Sequence, residues 1–439
     1  MRSIRSLSPY LIFLPMVGLF TFFLDSSFLA FRNFFPIDEA SVNRIYLANS
    51  IGCVIVGIGI LYILFRTTED RLKNLHTSIM IYVFFISQSI IIIFVIITLM
   101  QLQRDGTYTS ANVIVLFALS YGIGLYYVAL LAKKFFAWFR IGREFVVLCY
   151  ALTMCVFIVF LITSIVYASY EFSLNIYPGM ASGSIGIQVT ASNPLPSVYD
   201  TYFYYTYLLT FISVYLVTLL SLRIHMKKMR SVFFYLLLSI PLIYFLLNLL
   251  PFFTIYIASL IMYSPTYYGN IYTLFFSGTG PLGGILFSLV LLAVSRRVDN
   301  LSVKNYLSIA ALGMLLFFII NQNPPLQESL LPPFGIISKS FIGLACYMIF
   351  VGMYSSIALL SRKNALTNVL MKELSKDRLF GSAVRSEQEM QVKGIINKNI
   401  DLIEPSLETE PKDLSKDEIA ELVSVVRKEL SGSKDPRQT

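Results

Sequence analysis

Charge interrupts this chain only at long intervals, and that spacing constrains its fold more than any other feature. Residues 77–101, which include "ISQSIIIIFVIITLM", hold no Asp, Glu, Lys or Arg, and neither do residues 145–169. At ~1.5 Å per residue a helix of ~20 apolar residues crosses the ~30 Å core of a bilayer. Ten such runs are bounded by charges and turn residues: 8–30, 46–65, 77–101, 112–132, 145–169, 203–222, 231–263, 270–295, 304–320 and 334–360. The expected fold class is all-α: a polytopic helical membrane bundle of about ten transmembrane helices, followed by a small cytoplasmic C-terminal helical tail. The domains are 1–361, the membrane part, and 362–439, the tail.

Basic residues fix the expected direction of threading, because cytoplasmic loops collect Lys and Arg. With the N-terminus inside, 16 Lys and Arg fall on the cytoplasmic side of the spans and four on the other, Arg32, Arg44, Arg104 and Lys339. The connector 133–143 alone holds Lys133, Lys134, Arg140 and Arg143. Ten spans then return the C-terminus to the cytoplasm of a multi-pass cell-membrane protein. The formal charge of +9 sits entirely before Arg362, since the tail balances 14 basic against 14 acidic residues. It is accounted for by topology signals, with no call for nucleic acid as a partner; the expected surroundings are membrane lipid. The run 231–263 carries Pro241 and Pro251 and is too long for one straight crossing. It is taken as one kinked span, with 252–263 along or dipping into the interface. The long loop 171–202 has no Lys or Arg, and "SIGIQVTA" alternates enough for a short hairpin strand.

"SGTGPLGG" breaks the apolar pattern of the eighth run. Thr279 or Gly280 suits a helix N-cap and Pro281 the first helical position. Two readings follow. Glycines let neighbouring helices approach closely, and Gly280 and Gly284 form a G-x-x-x-G step. Alternatively a broken helix turns free backbone N–H groups of Ser277, Gly278, Thr279, Gly280, Gly283 and Gly284 toward a ligand, as transporters do. Packing is the stronger expectation. Charges inside the bilayer are costly and mark function. Asp25 and Lys339 are expected near the outer ends of spans one and ten, where they either meet headgroups or pair in the outer layer. No Asp, Glu or His falls at mid-depth on this reading, which weakens an ion pump; Asn248 and the tyrosines remain for a neutral substrate.

Cys53, Cys149, Cys155 and Cys346 all lie in predicted spans without a Cys-x-x-Cys pair, so packing is expected rather than a disulfide or metal framework. His76 and His225 are isolated, and no phosphate loop, H-E-x-x-H or G-x-S-x-G occurs. No metal, cofactor or catalytic residue is predicted. Glu171 and Asp200, which bracket the long loop, are the slender basis for a lipid-handling enzyme.

The tail carries two candidate amphipathic helices, 386–403 and 415–431, opened by Ser386…Glu389 and Ser415…Glu418 capping boxes. Ile419, Leu422, Val423, Val426 and Leu430 form a clean apolar stripe. A lone helix of this length is marginal in water, so the stripe implies a protein partner or self-association. With "LLSRKNALTNVLMKEL" following the last span, the layout resembles archaeal many-pass membrane proteins with a short helical cytoplasmic tail, to which no activity is assigned. The sequence favours a non-enzymatic sensor or membrane-complex subunit that docks a partner through its tail. A transporter or channel using the eighth span comes second, and the lipid-handling enzyme third.

Overall fold

The computed structural model describes residues 17–25, 39–69, 75–105, 110–174, 198–222, 279–296, 301–321 and 335–362, with single positions at 239, 242, 243, 383, 386, 387 and 390. Every regular element among them is a helix. Residues 17–25 are helical, and nine further helices follow: α1 (Glu39–Glu69), α2 (Leu75–Asp105), α3 (Ser110–Gly142), α4 (Phe145–Leu174), α5 (Val198–Leu222), α6 (Thr279–Ser295), α7 (Leu301–Ile320), α8 (Ile336–Lys339) and α9 (Ile342–Arg362). Most of the predicted span 231–263, Asn248, His225 and the strand expected in the long loop lie outside the described residues.

Six stretches are long and apolar enough to cross a membrane: Arg44–Phe65, Ile81–Gln101, Asn112–Gly142, Phe145–Ser169, Leu301–Ile320 and Ile336–Leu359. Their exteriors show what solvent they suit. On α1 the exposed residues include Ile51, Ile55, Ile58 and Tyr62; on α2 they include Ile86, Ile90, Ile93 and Ile97. That is one helical face in each case, and it is aliphatic. The interior meanwhile holds Ser50, Gln88, Ser120, Thr153, Ser164, Thr210 and Asn321. A water-soluble helix has the opposite arrangement, with polar residues outside. An apolar surface of this extent would aggregate in water and is stable in lipid. The protein is membrane-embedded.

Helices consecutive in sequence pack as neighbours, and α7 and α9 form the closest pair. These two are central: their span windows are 72% buried, against 33% for Ile81–Gln101. Two glycines bring them together. A Cβ on Gly313 would stand 2.9 Å from the Ala345 oxygen, and one on Gly352 would stand 2.5 Å from the Ala310 nitrogen. Small residues at a crossing let backbones touch, which replaces the hydrophobic drive that lipid does not supply. Around this pair the core is aromatic. Phe84 of α2 stacks on Tyr347 of α9 at 3.7 Å, and Tyr127 of α3 meets the same ring edge-on. Phe157 of α4 packs on Phe317 of α7 at 4.6 Å.

The connector expected at 133–143 is almost all helix. α3 continues through Lys133, Lys134 and Arg140 to Gly142, and only Arg143 and Glu144 separate it from α4. Arg143 takes φ 49°, and its N–H bonds the Phe139 oxygen at 2.8 Å, a left-handed helix cap. The Glu144 carbonyl accepts from Val147 N–H and starts the next helix. α3 is thus longer than a ~30 Å core requires. Its extra turns hold the cations, and the Lys134 ammonium stands 5.1 Å over the Tyr354 ring.

A buried polar centre at an interrupted span

The last span is the discontinuous one. Gly335 takes φ 85° and opens the single turn α8; Ser340 keeps right-handed helical dihedrals, but the Phe341 N–H bonds the Ser338 oxygen three residues back, so a tightened turn interrupts the regular ladder before α9 begins. Breaking a helix inside a bilayer frees backbone groups that lipid cannot satisfy. Side chains from other helices satisfy them here. In a continuous helix the Gly343 N–H would bond the Lys339 carbonyl. Instead Ser120 of α3 sits between them: its oxygen accepts from Gly343 N–H at 3.3 Å, and its hydroxyl points at the Lys339 and Ser340 oxygens, at 3.1 and 2.8 Å. Gln88 of α2 also offers its amide to the Ser340 oxygen, at 3.5 Å. An inserted side chain is a recognised cause of a helix break.

Asp25 closes the other end of the turn. A helix leaves its first N–H groups without intrahelical partners, and Gly335 at the N-cap has no side chain to accept one. The Ser338 N–H donates instead to Asp25 Oδ2 at 2.8 Å. The carboxylate lies well inside the bundle. Gly18 packs against Val56 and Ile60, the Thr21 methyl lies near Gly52, and the Phe22 ring meets Phe341 at 5.1 Å. The segment thus runs antiparallel to α1, and Asp25 acts electrostatically on Cys53. Cys53 falls in the interior of the span Arg44–Phe65, and Phe341 packs on Gly57 of that same span.

Asp25 is 0% exposed and Lys339 3%, so both side chains are enclosed by protein. Asp25 is an acid buried inside the helix bundle. Its neighbour on α8 is Ser338, one residue before Lys339, and the Lys339 charge acts on the carboxylate. Among the described residues, two buried acceptor atoms here meet no hydrogen-bond donor: Asp25 Oδ1 and Gln88 Oε1. Sequence reasoning missed Gln88 and Ser120. The signal was present for Gln88, a lone amide in the uncharged run "ISQSIIIIF". Ser120 in "FALSYGIG" gave none, because serine is common in spans as a self-satisfied side chain.

The predicted eighth-span residues behave differently. Ser277 and Gly278 lie outside the described residues, and α6 starts at Thr279 and runs through Gly280 and Pro281. Gly283 faces the Phe211 ring of α5, and Gly284 faces Leu315 and Phe318 of α7. Phe211, Phe287 and Phe318 pack mutually around this point. The nearest neighbours of both glycines are mostly carbon atoms. The cavity between α4, α5, α6, α7 and α9, lined by Tyr150, Thr153, Thr218, Met314 and Met353 among others, is about 20 Å³. That is room for one water molecule.

At the far end of α3 the first part of the tail meets the bundle. Ser386 donates its hydroxyl to the Trp138 carbonyl at 2.9 Å, and Trp138 Nε1 donates to Glu387 at 2.8 Å. Trp138, Ala383 and Ser386 are fully buried, and Met390 packs on the same core. Residues 383, 386, 387 and 390 are helical and share one face, so the Ser386 hydroxyl serves this contact instead of capping a helix start. Ile419, Leu422, Val423, Val426 and Leu430 lie outside the described residues. The four cysteines are free thiols, and among the described residues no three His, Cys, Asp or Glu side chains gather as a metal site. No protein family model, curated protein or solved structure matches the chain.

Proposed function

We propose that this is a carrier of the cell membrane, threaded many times with both termini cytoplasmic, whose working centre is the interrupted last span. One observation carries the reading: a carboxylate and an ammonium are held inside the bundle at a break in a span. Burying charge in a bilayer is costly, and such residues concentrate where ions or solutes pass. Interrupted helices are also where carriers place their binding groups, because the break frees backbone dipoles and allows two arrangements of one segment. The interruption anticipated from the glycines of the eighth span is reassigned by this reading to the tenth.

The test is full-length protein reconstituted in liposomes on a solid-supported membrane, with stepwise jumps of pH, Na⁺ and K⁺. Transient charge movement is expected with wild-type protein and is lost with Asp25→Asn. Charge movement identical to that of empty liposomes at every jump would sink the carrier reading. A second reading, a sensor or complex subunit that docks a partner through the stripe Ile419–Leu430, rests on the Trp138–Glu387 contact, which couples the tail to the bundle. Removing residues 383–439 separates the two: a carrier keeps its currents, whereas a subunit loses its co-purifying protein and has no currents to keep.

A further inference from the structure

The centre built around Asp25 has a chemistry that narrows its ligand. We infer that Asp25 Oδ1 and the oxygens about the break take up a small monovalent cation, a proton or an alkali ion. This inference deepens the carrier reading and rests on its choice of site. The short turn α8 is not the binding element, because its exposed amide is already used by Asp25 Oδ2. The ligand is set by what remains. Oδ1 and Gln88 Oε1 are acceptors only, fully buried, and neither completes a hydrogen bond among the described residues, although the Gly335 amide and the Ser338 hydroxyl act on the Asp25 carboxylate. A buried acceptor left so is destabilising, and more so when charged. Such atoms attract a proton, a cation or a donor.

The lining excludes other classes. An anion would face a carboxylate and the Gln88 amide oxygen. A multivalent transition ion needs several His, Cys or acidic ligands, and no such group exists among the described residues. An organic solute needs space, and the cavity of about 20 Å³ described above is lined by other residues. What fits is one charge of small radius. The carbonyls of Lys339 and Ser340 and the Ser120 hydroxyl are the oxygens nearest the break. Two titratable groups act on Asp25 or feel its charge: Lys339 of α8 and Cys53 of α1. Lys339 is the built-in competitor on this inference, since its charge favours the ionised carboxylate. Uptake of one cation therefore changes the net charge of the centre by one and loosens the hold of Asp25 on Lys339.

Equilibrium measurements test this apart from transport. Purified full-length protein in detergent and a weak buffer is titrated with NaCl, KCl or choline chloride at constant ionic strength. Proton release and thermal midpoint are followed together. Release of about one proton per protein on adding Na⁺ or K⁺, but not choline, supports a site shared by protons and alkali ions. A midpoint raised by one alkali ion without proton release supports an alkali site. Proton uptake that is larger in wild type than in Asp25→Asn, with no alkali effect, supports a proton site. Wild-type protein indifferent to alkali ions, with proton uptake equal to that of Asp25→Asn, overturns the inference. Gln88→Leu, which leaves the Asp25–Ser338 bond intact, is the second variant if Asp25→Asn fails to fold; it is expected to weaken alkali binding at least tenfold, and unchanged binding would remove Gln88 from the site. Cation binding without currents in liposomes would keep this inference and sink the carrier. Currents with no cation binding would do the reverse.

Discussion

Two spans begin abnormally in this protein, and they show opposite solutions to the same problem. The start of α6 is conspicuous in sequence, with four glycines and a proline in Ser277–Gly284. Gly283 faces the Phe211 ring, Gly284 packs on Leu315 and Phe318, and the backbone stays helical from Thr279. The α8–α9 junction, "GIISKSF", holds one glycine and looks unremarkable, yet there a tightened turn interrupts the helical hydrogen-bond ladder and side chains from three other parts of the chain bond to the freed groups. Glycine in a span is a statement about distance between helices. A break is a statement about hydrogen bonds, and its evidence lies in remote residues.

The comparison is broken most directly at Asp25. Asp25→Ala removes the acceptor of the Ser338 N–H and takes a carboxylate away from the buried Lys339. Removing one member of a buried charged pair costs about 3–5 kcal/mol. The double variant Asp25→Ala/Lys339→Ala is expected to recover part of that loss, measured by unfolding in mixed micelles. Losses that simply add would mean the two charges do not interact, and the break would be held by hydrogen bonds alone.

Gly283 supplies the next largest effect and the opposite expectation. A methyl there presses on the Phe211 ring, and overpacking of this kind costs about 1–3 kcal/mol. Phe211→Leu in the same chain is expected to restore stability, with charge movement in liposomes unchanged throughout. Stable Gly283→Ala protein with lost currents would instead return the site to the eighth span and reverse the contrast drawn above.

The difference in legibility between the two regions has a physical origin. Hydropathy depends on composition within a window, so the spans Arg44–Phe65, Ile81–Gln101 and Leu301–Ile320 match the runs 46–65, 77–101 and 304–320 within a few residues. The extension of α3 to Gly142 escaped the same reading because Lys133 and Lys134 look like a boundary, although a helix longer than the bilayer carries such residues at ease. Asp25 and Lys339 were visible as charges in apolar runs. Their depth was not, since it depends on residues 17–25 packing along α1 and on the last span turning at Gly335. Ser120 and Ser340 stand 220 residues apart, and no local pattern links them. The tail contact was not legible: the stripe that spacing marks as needing a partner is 419–430, outside the described residues, whereas the contact forms at 383–390 against the single tryptophan of the chain, Trp138.

Ser120 gives the smallest and most local test. Its hydroxyl stands between the Gly343 amide and the Lys339 carbonyl, so Ser120→Ala leaves both without that bridge. Polar contacts between membrane helices contribute on average ~0.6 kcal/mol and at most ~1.7, because a loosened backbone finds other partners. The change in unfolding free energy is therefore expected to be about 1 kcal/mol, well below that of Asp25→Ala. The backbone offers a sharper readout. If Ser120 holds the break open, its removal lets the Gly343 N–H move toward its helical acceptor or to water. Hydrogen exchange across residues 339–344 then changes, while exchange at the start of α6 does not. An unchanged exchange pattern at the junction would mean that the break is set by the Gly335 turn and by Phe341 seated on Gly57, with Ser120 following the backbone instead of shaping it.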